Sequence, residues 1–344
     1  MVYLVALNVS TQRRDVDVIK YVLRKLASWT LMIFIATNIT YFLANMFLDP
    51  RARYMEMKPP PKEEVILAKL QPLNLNPTES IFVRWWRWIS GIFTQWDWGK
   101  DPMGVPVNGE IAYRIWVSAE LVIGATIIAT ILGISLGIYT ASRQYKFADR
   151  FWQGVSIVAL NLHVIVASML VVFLALWINK KAGTTVFYVT GAANIGVEGT
   201  WHKFLDALRH VAMPTLALVM VSFAGTHMLQ RSLLLDNINA DYVRTARAKG
   251  LTRHAAIRKH AMRTSIIPVA TQIAFSIPGI FGGAILTETI FAWNGMGKYS
   301  VATITTNNIH GLVAASAFGA LLTAIGATLA DIAVVALDPR VRVS

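Results

Sequence analysis

Residues 241–268 read DYVRTARAKGLTRHAAIRKHAMRTSIIP, a basic, small-residue segment with a central glycine between two apolar runs. Its first half suits a short helix, on which Ala246 and Gly250 stand four apart on one face. Gly250 can take the left-handed conformation that ends a helix, and Thr252 is placed to cap a new one. Pro268 falls just inside the next apolar run, where a kink is tolerated if neighbours satisfy the freed backbone groups. The spacing predicts a helix–glycine–helix elbow with an Ala/Gly patch that another protein's surface can approach closely. By charge alone the segment would be an ordinary basic loop beside a membrane.

The surroundings are membrane-like. Hydrophobic residues make up 55% of the 344 and charged residues 15%, too apolar a balance for a soluble domain. A spanning helix needs about 20 apolar residues. Six runs qualify: 26–48, 117–140, 154–178, 211–229, 265–286 and 312–337. The first is too long for a cleaved secretory signal and no small-x-small cleavage site follows it, so it reads as a retained helix. The expected fold is all-α and polytopic, with six transmembrane helices. Residues 1–25 form an N-terminal segment, 49–113 an outer insertion, and 114–344 a five-helix core containing the loop 231–265.

Orientation follows from lysine and arginine near the membrane. With the N-terminus inside, Arg13, Arg14, Lys20, Arg24 and Lys25 are cytoplasmic, as are Arg143, Lys146 and Arg150. So are the basic residues from Arg231 to Arg263, with Arg340 and Arg342, together 18 of the 32 in the chain. The net charge of +13 is thereby a topology signal and not a nucleic-acid footprint. Both termini are expected in the cytoplasm of a cell-membrane protein. The absence of cysteine excludes disulfides, thiol catalysis and cysteine metal sites.

The insertion 49–113 opens with LDPRARY, passes through Pro59-Pro60-Pro61 and ends in RWWRW (residues 84–88) and WDWG (residues 96–99). Tryptophan beside arginine suits the headgroup layer, so short amphipathic helices on the outer leaflet are expected. LDPR recurs at 48–51 and 337–340, on opposite faces in this topology; Asp before Pro is a helix stop, and no repeat is assigned.

No catalytic constellation emerges. WNGMGKYS (residues 293–300) resembles a phosphate loop, but Ala292 stands where the first glycine belongs and the segment follows an apolar span. The seven histidines lack metal spacing. His163 and His227 lie within apolar runs, where ionisable side chains usually face protein interior. They could line a pathway or serve as hydrogen-bonded packing residues, and Glu120 and Glu288 pose the same question. Asp331, near the inner end of the last span, invites pairing with a basic residue of the loop 231–265. Small residues at helical spacing, Gly133 with Gly137 and Gly279 with Gly283, permit close helix packing.

RTARAKGL followed by RKHAMRTSIIPVAT resembles the cytoplasmic coupling loop of ABC-importer permeases, in its dipeptide/oligopeptide form. Further motifs occur in the same order: SAELVIGATIIATILGISLGIYTASRQ, HVAMPTLAL, GGAILTETIFAWNGMGKYS and ALDPRVR. The resemblance covers most of the chain from Ile111 to Arg342. Three features depart from the family pattern: the Pro-Gly-Asp-Pro turn is reduced to Asp49-Pro50, Ser-x-Pro in the third span reads Asn161-Leu162-His163, and the outer insertion is unusually rich in tryptophan.

What the resemblance implies is a type I importer permease, a non-catalytic membrane subunit that pairs with a second, related permease. Two ATPase subunits would carry ATP and magnesium, and an extracytoplasmic binding protein would deliver substrate; this chain would bind no cofactor or metal itself. By the same resemblance Asp241, Arg244, Thr245, Ala246, Ala248, Gly250 and Leu251 would contact the ATPase. Asn161, His163, His227 and Gln272 interrupt apolar spans and are the candidate pathway residues. Peptide is the expected cargo, with oligosaccharide or nickel as alternatives. A membrane enzyme would show paired catalytic groups, and a secondary transporter inverted repeats or deeper buried charge; neither has a use for the coupling loop.

Overall fold

The computed structural model describes the backbone of residues 2–337, and the side chains of 23–273 and 284–332. Among the described residues it is almost entirely helical, with one isolated bridge between Lys100 and Pro106. In chain order the helices are α1 (Val2–Phe47), α2 (Ala52–Met55), α3 (Glu63–Leu70), α4 (Ile81–Gln95), α5 (Val107–Ala141), α6 (Phe147–Asn161) and α7 (Val164–Ala182). They continue with α8 (Thr200–Ile238), α9 (Asp241–Ala248), α10 (Arg253–Ala256), α11 (Met262–Ile290), α12 (Met296–Thr305) and α13 (Ile309–Leu337). A π-helical turn, Ile257–Ala261, joins α10 to α11. Among the described residues five stretches are long and apolar enough to cross a membrane: Leu23–Met55, α5, α7, α8 and Ile309–Ile332. Helix α11, 29 residues long, covers the fifth expected span, 265–286.

The third span differs from its expected form. One helix over 154–178 was anticipated, but the chain forms two, α6 and α7, interrupted at Leu162 and His163 in extended conformation. No proline is there to force the break. His163 holds it: its Nδ1 accepts from Ile165 N at 3.3 Å, capping α7. The side chain is therefore an N-cap at a helix junction and not a residue inside a spanning helix.

Helices α5 and α8 form the most extensive helix pair. Gly133 and Gly137 make it possible: a Cβ on Gly133 would stand 2.8 Å from Phe223 O, and one on Gly137 would stand 2.7 Å from Gln230 Cβ. The other glycine pair of the sequence reading, Gly279 and Gly283, lies outside the described side chains, and residues 338–340 of the second LDPR lie outside the described residues.

The insertion does more than rest on a leaflet. Helices α2, α3 and α4 build a small apolar core of Tyr54, Ile66, Leu70, Leu75, Trp88 and Ile89 against Tyr41 of α1 and Ile309 and Val313 of α13. Trp88 stacks on Tyr41 at 4.7 Å and is 3% exposed, a core residue where a headgroup-facing indole was expected. Asp49 behaves as the predicted stop: α1 ends at Phe47, and Asp49 N donates to Asn307 Oδ1 at 3.0 Å. That contact places the end of α1 beside the start of α13, on the face opposite the elbow.

Candidate functional site

The elbow has the predicted geometry. Helix α9 ends with Gly250 at φ +95°. Leu251 N donates to Ala246 O at 3.2 Å and Gly250 N to Arg247 O at 3.0 Å, the paired bonds of a Schellman close. Thr252 then caps α10, its hydroxyl accepting from Ala255 N at 3.3 Å. Two short helices thus meet at a fixed angle with their end groups satisfied.

Which face is presented needs correction. Ala246 is 8% exposed and packs with Val243, Ala256, Ala261, Leu234 and Ala141. It secures α9 to the bundle and is no part of an outward Ala/Gly patch. Leu251 is half-buried against the same cluster. The outward surface consists of Asp241, Arg244, Thr245, Ala248 and Gly250, with Tyr242, Arg247 and Lys249 beside them. Arg244 and Asp241 form only a loose, exposed pair at 3.8 Å.

Above the elbow lies a polar belt that the sequence alone did not reveal. Arg231 of α8 grips Asp149 of α6 with two bonds, Nε to Oδ1 at 2.7 Å and NH2 to Oδ2 at 2.9 Å. Tyr145 N and Gln153 Nε2 complete the carboxylate's shell. Asp149 is 1% exposed, and it lies just outside the expected 154–178 span. The bond from Arg231 outweighs desolvation and holds its carboxyl down at about 2. One turn up α8, His227 is fully buried between Ser156 Oγ at 2.6 Å and Thr140 Oγ1 at 3.0 Å. Thr140 Oγ1 is also within reach of Leu136 O at 2.8 Å, so the imidazole sits in a fully hydrogen-bonded polar pocket. Gln230 donates to Ser265 Oγ of α11 at 2.8 Å. Of the two readings of His227, packing is the one its surroundings meet. Asp331 pairs with Lys25 of α1 and not with a basic residue of the elbow.

A cavity of about 490 Å³ lies among α5, α7, α8 and α11. Gln272 lines it, the one candidate pathway residue to do so, while Asn161 and His163 are exposed at the helix break next to Val164, which also lines it. The sequence reading missed Thr126, Thr130, Ser222 and Thr226, which join Gln272 on the wall. Each pair is spaced by four on its helix, a signal that was available. Among the described residues lining the cavity none carries a charged side chain.

On the opposite face, Glu288 is fully buried and accepts from Ser118 Oγ at 2.6 Å and Lys298 N at 2.8 Å. Ser118 Oγ accepts from Met296 N at 2.7 Å, and Trp293 Nε1 donates to Val117 O at 2.8 Å. WNGMGKYS is a clasp fastening the N-terminus of α12 to α5, where a carboxylate also complements the helix dipole.

A helical bundle of this kind, with an intramembrane cavity and a basic elbow, defines a multi-pass membrane component of a transport system. Residues 133–343 match the family of binding-protein-dependent transport system inner membrane components, and the chain belongs to it. It is 35% identical over 326 residues to the oligopeptide transport system permease protein OppB of Mycobacterium tuberculosis, covering 94% of this chain and 99% of that one. It is 30% identical to the oligopeptide permease AppB of Bacillus subtilis over 79% of this chain and 84% of the relative. With the probable D,D-dipeptide permease DdpB of Escherichia coli it shares 26% identity over 91% and 95%.

Proposed function

We propose that this protein is one of two permease subunits of an ATP-driven, binding-protein-dependent importer for di- and oligopeptides. ATP and magnesium are handled by two partner ATPase subunits, and the chain itself is not an enzyme. An extracytoplasmic binding protein supplies substrate, both termini lie in the cytoplasm, and the surrounding bilayer is the cell membrane.

The observation that carries the reading is the elbow. Its inner side, Val243 and Ala246 with Ala256 and Ala261, is packed into the bundle, while its outer side is exposed and basic. A rigid element fixed on one side and free on the other transmits a push as a rigid-body movement. The belt from Arg231 to Asp149 and from Gln230 to Ser265 passes that push to α6 and α11. Displacing these helices changes the walls of the cavity, which a second permease facing it would complete.

Peptide cargo is supported by the named relatives and by the cavity wall. Hydroxyl and amide groups without fixed charge match peptide donors and acceptors and release them readily, leaving selectivity to the binding protein. Reconstituted with its partners, the protein is expected to import a labelled oligopeptide only with ATP and the binding protein both present. Import of an oligosaccharide or of nickel, with peptides neither carried nor competing, would overturn the peptide assignment and leave the importer architecture in place.

A further inference from the structure

We infer that a groove between α1, α5 and α13 is a binding site for one acyl chain of a bilayer phospholipid. Helix α1 packs along α13 but scarcely touches α5, which leaves a cleft of about 350 Å³ open on the side of the bundle. Asn108 is its one non-aromatic polar liner; the rest is aliphatic or aromatic.

The groove runs along the axes of α5 and α13. On α5 its lining passes from Asn108 to Ile115, and on α13 from Ala314 to Leu321, each about 10 Å of helix. Its mouth is framed by Trp96 and Trp98, in contact edge to face at 5.8 Å. Asn108 fixes that tryptophan turn to α5, accepting from Trp98 N at 3.0 Å and donating to Trp96 O at 2.5 Å. Trp96 is 68% exposed. Indoles favour the layer where headgroups meet hydrocarbon, so the mouth sits at that depth and the groove descends from it among the acyl tails.

Direction and chemistry therefore agree on the occupant. On the helices that flank the cleft, Phe34 and Ile35 of α1 and Tyr113 and Trp116 of α5 are exposed apolar side chains. Buried Ala314 and Ala317 keep its floor low, so a chain of methylenes can lie against α13. An empty cleft of this shape would forfeit contacts that a lipid tail supplies. The inference rests on the membrane setting and the helix packing, and it is independent of the cargo and of the elbow's role.

The test uses cells producing the full-length protein with its partner subunits, fed a fatty acid bearing a terminal diazirine so that membrane phospholipids carry the probe. After irradiation of intact membranes, peptides containing Ile115 and Leu321 are expected to carry the adduct. Ala112 is exposed on the groove wall, and Ala112→Trp should lower that labelling at least fivefold. Labelling at Phe173, on the exposed face of α7, should not change, which reports that the variant is folded and inserted. If Ala112→Trp does not accumulate, Ala112→Leu is read in the same way with a smaller decrease. Unlabelled groove peptides, labelling that neither substitution alters, or cross-linking of a photoreactive residue at position 112 to another polypeptide would each overturn the assignment.

Discussion

At Gly250 the backbone sets a demand that only a few side chains meet. A Cβ there would touch nothing within 4 Å, so its cost is conformational, with φ at +95°. Gly250→Ala should lower stability by about 1 kcal/mol. Gly250→Asp adds a charge to the exposed surface. It should insert normally, weaken ATPase association and lower uptake at least ~tenfold, the equivalent of about 1.4 kcal/mol; co-purification and transport assays read the two effects. Ala246→Glu should behave differently, because it places a carboxylate in an apolar cluster. A loss of ~3 kcal/mol and reduced accumulation in the membrane are expected, with no selective loss of coupling. The Asp149–Arg231 pair gives a pH signature. A carboxyl lowered to about 2 contributes its full stabilisation above the unfolded value near 3.8 and loses it as pH falls through about 2. The stability difference between the wild type and Asp149→Asn should thus be flat from neutral pH to about 4 and shrink below it. Thermal unfolding of the two proteins across pH checks this.

Between helices the decisive quantity is the distance of approach. Gly137→Leu would drive α5 away from Gln230 and His227 of α8, and overpacking of this kind costs about 1–3 kcal/mol. A larger effect is expected here, because the belt through Thr140, His227 and Ser156 would part as well; reduced yield of the assembled transporter and a lower melting temperature are the readouts. The elbow was legible because its determinants are local: a glycine after a helix and a threonine two residues later need no knowledge of the rest of the fold. Its facing was not. A small residue fits equally against one's own core or a partner's, so Ala246 could be placed only by the packing of Leu234 and Ala256 around it. The break between α6 and α7 was hidden for a related reason: Asn161-Leu162-His163 has no proline, and an apolar run reads as continuous.

Over the whole molecule, the long apolar helices followed from hydropathy, because bilayer thickness acts on the sequence directly. What joins the spans did not. Asp149 and Arg231 are 82 positions apart, Ser118 and Glu288 are 170, and no spacing rule couples such pairs. Trp88 of the insertion was misjudged because one residue type serves two environments: it is a core residue, whereas Trp86 and Trp96 are exposed. Topology can be tested in a chain that lacks cysteine. A cysteine replacing Lys58 should react with an impermeant maleimide added outside intact cells, and one replacing Arg258 only after the membrane is opened. The reverse pattern would invert the assignment of every loop.

The junction at His163 has an implication for motion. A proline ring would make an interruption permanent; an imidazole makes it conditional on one acceptor reaching one amide, His163 Nδ1 to Ile165 N. The two segments are thus articulated, with the joint beside the cavity among α5, α7, α8 and α11 and its far arm, through Asp149, tied to Arg231 of α8. Replacing the imidazole with an aliphatic group, as in His163→Leu, removes the acceptor and favours one straight rod. Spin labels at positions 150 and 176 should then lie farther apart, and the transporter should hydrolyse ATP without moving cargo, like an engine whose clutch has been removed.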